Sequence, residues 1–417
     1  MKRLFYTLVL LGLLFITSCT DHAPKEVITY DLLNGNIPET ELKFSDLVTD
    51  IKIIPLEIKD SILIADSEYA IDDKYIVVAG KESIHQFDVS TGKHIRRLAV
   101  RGNGPNEYNY LNSLFIKNGK LFISSSGKNS VCVIDLETGT FFAPLVASSK
   151  NDITIKGMTN EEDIYMSNDS LLFELFNFQT QKSVPLVNHP YRVKNNRNGF
   201  TISGFYIGGD ALVECNDEMF FYNANFSDTL YFSERINKSI GERVVQPYAV
   251  FKLPESKTNN ALDGLMNSDE VKMGIPYVDS HFILCGFSSL GVKFSSASSV
   301  SMVIEPLGLY CINRENGEAK QICKYIFDPL FIKEFSNKRK NGNEDSGVMD
   351  AIYGSSHNWF ANHKIYAKVY SSFQVKEYIK ESLESPDFPQ NKVEQLKALD
   401  CKITEEGNPI VFIGTKK

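Results

Sequence analysis

The chain has 417 residues, of which 43% are hydrophobic and 12% aromatic, and its formal net charge is −8. This apolar content supplies a large core, so the composition excludes a mainly disordered chain. The acidic balance argues against nucleic acid as a partner, because contacts to phosphates require clusters of Lys and Arg.

The start of the chain is typical of a bacterial lipoprotein signal. Met1–Arg3 is a short positive segment, residues 4–16 are nearly all apolar, and Cys19 follows Thr17-Ser18. This apolar run is too short to span a bilayer comfortably. The small residues before the cysteine resemble a lipobox, which implies cleavage before Cys19 and lipid on its sulfur and its new amino group. The alternative is an ordinary secretory signal in which the cysteine is incidental.

These features divide the chain into three parts. Residues 1–18 are the predicted lipoprotein signal peptide, and residues 19–26 are a lipidated flexible tether. Residues 27–417 form one predicted domain. A lipid on Cys19 makes the membrane the first expected partner of this protein.

Strand-like segments begin directly after the tether. Val27–Asp31 is a lone strand, and we expect it to close the fold by pairing with the other end of the chain. A series of apolar segments then runs to Val100, interrupted by a polar turn at Ser90–Lys93. The predicted strands in this series are Ile51–Glu57, Ile62–Ile71, Tyr75–Ala79, Ile84–Val89 and His94–Val100.

One plan recurs along the chain: an apolar strand, an Asp or Asn, a polar turn, and a second strand. Residues 87–93 read Phe-Asp-Val-Ser-Thr-Gly-Lys and residues 134–140 read Ile-Asp-Leu-Glu-Thr-Gly-Thr, with degenerate copies at 176–182 and 310–317. Repeats of about 40–50 residues with four short strands each are typical of a β-propeller. The sequence therefore predicts an all-β fold, a six-bladed β-propeller of four-stranded antiparallel blades with short helical rim insertions.

Three helical insertions are predicted on the rim. One lies near Asn259–Met273 and a second at Pro329–Arg339. The third, Pro389–Leu399, is better marked, because its apolar residues recur at a spacing that places them on one helix face.

The stretch Gly102–Tyr108 reads Gly-Asn-Gly-Pro-Asn-Glu-Tyr and cannot continue a strand or a helix. It therefore predicts a sharp connection between two β segments. Glu107 and Tyr108 are candidate ligand-binding residues at one mouth of the central channel. In the alternative, which we favour, Glu107 accepts hydrogen bonds from N–H groups of the turn and Tyr108 packs between blades.

Five short motifs together point to a family. They are Ile54–Glu57, Phe87–Arg96, Gly102–Tyr108, Asp228–Tyr231 and Glu405–Val411. This set resembles the six-bladed β-propeller lipoproteins of gut bacteria that devote many outer-membrane proteins to glycans. The resemblance implies a propeller lipid-anchored at the bacterial outer membrane, and it leaves open the periplasmic or cell-surface face. It implies no agreed activity, so no catalytic residue is carried over from it.

A second candidate binding element lies between Asp350 and Trp359. Asp350, Tyr353, His357 and Trp359 concentrate polar and aromatic groups in one loop. An aromatic face can stack on a sugar ring while polar neighbours bind its hydroxyl groups. These four residues are therefore candidates for binding a glycan or a peptide. In the alternative, which we favour, the histidines are ordinary strand and loop residues.

No standard metal or catalytic motif is present in the sequence. The seven histidines include no His-Glu-x-x-His and the seven cysteines no Cys-x-x-Cys, so we predict neither a metal site nor a cofactor. Gly286–Gly291 has one residue too many for a nucleophile elbow. Apart from Cys19, the cysteines are predicted to be buried thiols, with Cys311 and Cys323 as the pair that a hairpin could join.

These observations lead to two functional hypotheses. The preferred one is a binding or scaffolding lipoprotein for a glycan, peptide or partner protein, because a propeller presents loops around a central funnel. The alternative is a hydrolase or lyase with its site in the central channel, because propeller enzymes gather residues from many blades.

Overall fold

The computed structural model describes residues 27–58, 64, 68–104, 106–148, 153–158, 163–166, 171–188, 196–197, 200–201, 210–215, 218–223, 228–234, 245–254, 270–296, 299–336, 359–362 and 364–417. The predicted signal peptide and tether, including Cys19, lie outside these residues. Within them, no helix has both the length and the apolar character needed to cross a bilayer.

The described elements are mostly strands, and sheets of four or more strands are numbered 1 to 6 in chain order. The N-terminal elements are β1 (Ile28–Tyr30), β2 (Glu39–Lys43), α1 (Phe44–Leu47) and β3 (Val48–Pro55). Sheet 1 contains β4 (Glu68–Ile71), β5 (Tyr75–Ala79), β6 (Ser83–Asp88) and β7 (His94–Val100). Sheet 2 contains β8 (Leu111–Lys117), β9 (Lys120–Ser125), β10 (Ser130–Asp135) and β11 (Leu145–Val146). Sheet 3 contains β12 (Ile155–Met158), β13 (Asp163–Met166), β14 (Leu171–Asn177) and β15 (Lys182–Asn188).

The second half of the chain continues this order. β16 (Asn196–Arg197) and β17 (Phe200–Thr201) form a two-stranded ribbon. Sheet 4 contains β18 (Asp210–Cys215), β19 (Glu218–Asn223), β20 (Thr229–Glu234), β21 (Gln246–Phe251) and β1. Sheet 5 contains β22 (Glu270–Val278), β23 (Phe282–Ser296), β24 (Ser299–Asn313), β25 (Ala319–Phe327), β26 (Lys333–Ser336) and β2. Sheet 6 contains β27 (Trp359–Ala361), β28 (Ile365–Tyr370), β29 (Ile410–Lys416) and β3, with α2 (Ser372–Glu384) and α3 (Gln390–Asp400) between β28 and β29.

Neighbouring sheets contact each other through their first strands. β4 contacts both β27 and β8, β8 contacts β12, β12 contacts β18, and β18 contacts β22. Sheets 5 and 6 share one apolar core, which includes Tyr325 and Tyr366. The fold is therefore all-β, with four-stranded blades in a propeller-like arrangement.

The number of regular blades differs from the predicted six. Sheets 1, 2, 3 and 6 have four strands and sheet 4 has five, so the described residues form five blades of regular size. Sheet 5 has six strands, because β2 and β26 join its four consecutive strands. It is also longer than the others, since β23 and β24 each run for 15 residues. Repeat spacing reveals successive strands, but it does not reveal strands that join a sheet from elsewhere in the chain.

The strand that completes sheet 6 comes from the N-terminal part of the chain, but it is not the predicted one. β3 lies antiparallel to β29, with Ile54 opposite Val411. β1, within the predicted donor Val27–Asp31, pairs in parallel with β21 on sheet 4 instead. β2 pairs in parallel with β25 on sheet 5. The three N-terminal strands thus join three successive sheets.

The recurring Asp or Asn of the sequence repeat organises the turn between the third and fourth strands. Asp88 Oδ1 accepts a hydrogen bond of 2.8 Å from the N–H of Thr91. Asp135, Asn177 and Asn313 accept the equivalent bond from the residue three positions later. Each side chain replaces water at an N–H group that the turn leaves unpaired, so the repeat is a structural motif.

The helices are partly as predicted. The helix at Pro389–Leu399 is confirmed as α3. α2 was not predicted, and Lys333–Ser336 is a strand although the sequence pattern favours a helix at Pro329–Arg339. Residues 259–269 lie outside the described part of the chain, and residues 270–273 belong to β22.

Candidate functional site

The glycine-rich corner connects β7 of sheet 1 to β8 of sheet 2, as the sequence predicts. Its first and last residues are joined by a bond of 2.8 Å from the Gly102 N–H to the Tyr108 carbonyl. Because β8 contacts the first strands of both neighbouring sheets, the corner delivers the chain to the inner side of the propeller-like arrangement.

Glu107 is used inside this corner. Its carboxylate accepts a hydrogen bond of 2.7 Å from the Gly104 N–H. A Cβ added at Gly102 would lie 2.0 Å from Glu107 Oε2, so a side chain there would displace the carboxylate from its present position. The Lys128 ammonium donates to the Glu107 carbonyl at 2.7 Å. These contacts agree with a structural role for Glu107, and its predicted role in ligand binding stays a prediction.

Tyr108 is buried in the core between sheets 1 and 2. Its ring is 4% exposed and its hydroxyl donates to the Gly80 carbonyl at 3.2 Å. Burial raises the pKa of Tyr108 to about 12. The exposed aromatic at this corner is Tyr110, which is 62% exposed, and the Arg101 guanidinium lies 4.6 Å from its ring centroid.

The predicted loop at 350–359 falls largely outside the described residues. Asp350, Tyr353 and His357 lie there, so the structure does not test their association. Trp359 is the first residue of β27, with its Cα opposite that of Lys368 in β28. Lys368 is 1% exposed, and burial lowers its pKa to about 7.

A cavity of about 680 Å³ lies at the seam between sheets 6 and 1. Its wall is formed by the end of β3, by the turn between β6 and β7, and by the segment that precedes β29. The polar residues on this wall are Glu57, Ser90, Thr91, Lys93, Ser372, Lys402, Thr404 and Asn408. At the rim, Ile58 adds an apolar group that is 53% exposed. This volume falls within the range of small-ligand pockets.

A buried amide holds the cavity wall together. Asn408 is 2% exposed, accepts a hydrogen bond of 3.0 Å from the Ile64 N–H and donates one of 2.7 Å to the Glu57 carbonyl. The Ser372 hydroxyl, at the first residue of α2, donates to the Asn408 carbonyl at 2.5 Å. Asn408 therefore links the start of α2 to Glu57 and Ile64, two residues of the segment that follows β3.

The turn of sheet 1 also packs directly against β3. The Glu57 N–H donates to the Gly92 carbonyl at 2.9 Å. Gly92 has φ +71°, and a Cβ added there would lie 2.1 Å from the Pro55 carbonyl oxygen. The seam thus brings residues from distant parts of the chain into one wall. Backbone hydrogen bonds hold this wall, so its side chains are oriented before a ligand binds.

Two of the thiols, Cys132 and Cys311, are poor nucleophiles, and the prediction of a buried thiol is wrong for Cys401, which is exposed. Cys132, Cys285, Cys311, Cys323 and Cys401 are all free, and Cys311 lies opposite Lys320 rather than Cys323. Burial raises the pKa of Cys132 to about 11 and that of Cys311 to about 12. Because the thiolate is the nucleophile, these groups are inert near neutral pH.

The described part of the chain also contains no group of three or more His, Cys, Asp or Glu side chains that could hold a metal ion.

The seam cavity was not predicted from the sequence, although the motif Glu405–Val411 forms part of its wall. The signal available there was Asn408 itself, an amide set between Gly407 and Pro409 directly before an apolar strand.

Three solved structures show what the chain is similar to. One is a chain in the structure of S. cerevisiae Dbp5 bound to Nup159, Gle1, IP6 and ADP, with 11% identity and a TM-score of 0.40, covering 71% of this chain and 70% of that chain. Another is Kuenenia stuttgartiensis hydrazine synthase, with 11% identity and a TM-score of 0.35, covering 82% of this chain and 86% of that one. The third is U3-55K, with 9% identity and a TM-score of 0.36, covering 70% of this chain and 94% of that one.

No curated protein matches the chain. A family model described as "Domain of unknown function (DUF4934)" matches residues 27–415. This match begins where the predicted tether ends and includes both sides of the seam cavity. The chain belongs to the DUF4934 family.

Proposed function

We propose that this protein is a binding or scaffolding module and that its ligand site is the cavity between sheets 6 and 1. The observation that carries this proposal is the cavity itself, with its volume of about 680 Å³ and its wall of hydroxyl, ammonium and carboxylate groups. A β-propeller fold is consistent with such a role, because it holds loops from distant parts of the chain in fixed positions.

The chemistry of the wall favours a glycan that carries acidic groups. Ser90, Thr91 and Thr404 offer hydroxyl groups that can both donate to and accept from sugar hydroxyls. Lys93 and Lys402 supply two positive charges against the single negative charge of Glu57, so a carboxylate or sulfate on the ligand is attracted.

Binding of oligosaccharides by the purified full-length protein tests this proposal. Calorimetric titration with a neutral and a uronic-acid-containing oligosaccharide should show tighter binding of the acidic one. Replacement Lys402→Ala should weaken that binding about tenfold, the equivalent of one lost charged contact of about 1.4 kcal/mol.

Lys74→Ala is the matched control, because Lys74 is an exposed lysine in the turn between β4 and β5 of sheet 1 and does not line the cavity. Its affinity should equal that of the unmodified protein. The proposal fails if no oligosaccharide binds, or if Lys402→Ala binds as tightly as Lys74→Ala.

The proposal extends to the anchor that the sequence suggests. In it, the protein is a lipoprotein held at the bacterial outer membrane by Cys19. What supports the anchor is the lipobox-like sequence before Cys19 and the start of the matched family domain at residue 27. Labelling of cells with a radioactive fatty acid should mark the protein, and Cys19→Ser should abolish the label. Label that persists in Cys19→Ser contradicts the anchor.

A further inference from the structure

Two histidine side chains of sheet 1 meet at the seam with sheet 6. His85 lies in β6 and His94 begins β7, and the two strands are paired. His85 Nδ1 lies 3.2 Å from His94 Nε2, and the ring centroids are 5.3 Å apart. Two imidazole nitrogens that bind one tetrahedral zinc ion at about 2.0–2.1 Å are about 3.3 Å apart. The pair therefore already has the spacing of two ligands of one metal ion.

The second nitrogen of His85 is also held in place. Its Nε2 lies 2.7 Å from the Ser83 hydroxyl oxygen. A histidine that binds a metal through one nitrogen usually hydrogen bonds through the other, which fixes the ring orientation and the tautomer. In the tautomer whose Nε2–H is directed at Ser83, the Nδ1 of His85 is unprotonated and faces His94.

A cationic residue lies beside His85. His85 is 8% exposed, and its Cα lies opposite that of Arg97 in β7. The positive charge of Arg97 repels a metal cation, which limits the affinity of the site.

The backbone of His94 borders the cavity wall. Its backbone N–H donates to Glu57 Oε2 at 2.8 Å, and Glu57 is part of that wall. The edge contact between the rings of Phe87 and His94, with centroids 5.3 Å apart, limits the movement of His94. The Glu57 carboxylate beside the His94 backbone offsets part of the repulsion from Arg97.

We propose that His85 and His94 form a binding site for a divalent transition-metal ion, of the zinc, nickel or copper(II) class, beside the seam cavity. The pair supplies two nitrogen ligands, and water or a ligand in the cavity supplies the remaining ones. Imidazole nitrogen favours this class of ions over magnesium and calcium, which prefer oxygen ligands. This inference does not depend on the proposed glycan.

Titration of the chelator-treated full-length protein with Cu²⁺ tests the site directly. Electron paramagnetic resonance of the one-equivalent complex should show hyperfine coupling to two imidazole nitrogens. Calorimetry with Zn²⁺ should show binding near neutral pH, and His94→Gln should weaken it about tenfold or more. Ser83→Ala should weaken it less than His94→Gln does, because Ser83 only orients a ligand.

His281→Gln is the matched control, because His281 is an exposed histidine in a turn of sheet 5. Its affinity and spectrum should equal those of the unmodified protein. Circular dichroism confirms that each variant is folded. The site is ruled out if the unmodified protein binds no Zn²⁺ or Cu²⁺, or if His94→Gln retains both the affinity and the two-nitrogen spectrum. In that case the two rings form only a hydrogen bond with each other.

Discussion

Replacement of Gly92 by alanine should open the seam that closes the propeller-like arrangement. Gly92 has φ +71°, in the left-handed region, where a side chain costs about 1–2 kcal/mol. Its new Cβ would also lie 2.1 Å from the Pro55 carbonyl oxygen and 3.1 Å from Ile54 Cγ2, well inside ordinary van der Waals contact. The backbone of β3 must then move, and overpacking of this kind costs about 1–3 kcal/mol more.

Gly119→Ala separates these two effects. Gly119 also has φ +71° in a turn, of sheet 2, but a Cβ there would meet no atom within 4 Å. Urea unfolding followed by circular dichroism should therefore show a loss of about 1–2 kcal/mol for Gly119→Ala, and a further loss of about 1–3 kcal/mol for Gly92→Ala. Equal losses in the two variants would refute the argument that Gly92 is required by contact with β3.

Three other substitutions test buried polar groups. Lys368→Met should stabilise the protein, because burial lowers the pKa of Lys368 in the folded state to about 7, from the ordinary 10.5. Between pH 7 and 10.5 the proton is bound in the unfolded chain and not in the folded one, so the unmodified protein becomes more stable as the pH rises. The stability gained by Lys368→Met should therefore shrink by about 1.4 kcal/mol per pH unit over this range. Glu107→Ala should cost about 1–2 kcal/mol in urea unfolding and speed proteolysis of the corner, because the Gly104 N–H loses its acceptor. Asn408→Leu should cost about 2 kcal/mol or more, because it leaves the Glu57 carbonyl and a second backbone group without partners.

Each of these substitutions has a control or a contradicting result. Lys364→Met, at an exposed lysine just before β28, should show no such pH dependence. A difference for Lys368→Met that does not change with pH would contradict the lowered pKa of Lys368 in the folded protein. Glu82→Ala removes an exposed carboxylate beside the same corner and should change stability by less than about 0.5 kcal/mol. Full stability in Asn408→Leu would show that its two hydrogen bonds do not support the wall.

Local features of the fold could be predicted from the sequence because local chemistry determines them. The turn at Ser90–Lys93 was recognised from its polar residues and its glycine, and the structure shows the Asp88 side chain holding that turn. Helix α3 was recognised from its apolar spacing. Helix α2 was missed, although Ser371 and Gln374 form a capping box that is readable as Ser-x-x-Gln.

Pairing between distant strands could not be read in the same way. Val27–Asp31 and Ile51–Glu57 are both short apolar segments, and nothing in either one specifies the sheet edge that it joins. Ile54 meets Val411 only because the whole ring of sheets brings the two ends of the chain together. The count of regular blades failed for the same reason, because β2 joins sheet 5 from outside the repeat.

In the candidate site, too, local features could be predicted from the sequence and long-range contacts could not. The conformation of the glycine corner, and the alternative role of Glu107 within it, followed from neighbouring residues. The seam cavity did not, because Glu57 and Asn408 are brought together only by tertiary structure. Likewise, His85 and His94 are separated by a turn, and their contact depends on the register and the bulges of β6 and β7.

The donation of β3 to the last sheet has a consequence for biosynthesis. On the ribosome, residues 48–55 emerge long before their partner Ile410–Lys416. The nascent chain must therefore keep an apolar strand unpaired while all the intervening sheets are synthesised, and an unpaired strand is open to aggregation. A chaperone that shields this segment until its partner strand has emerged should raise the yield of the native protein.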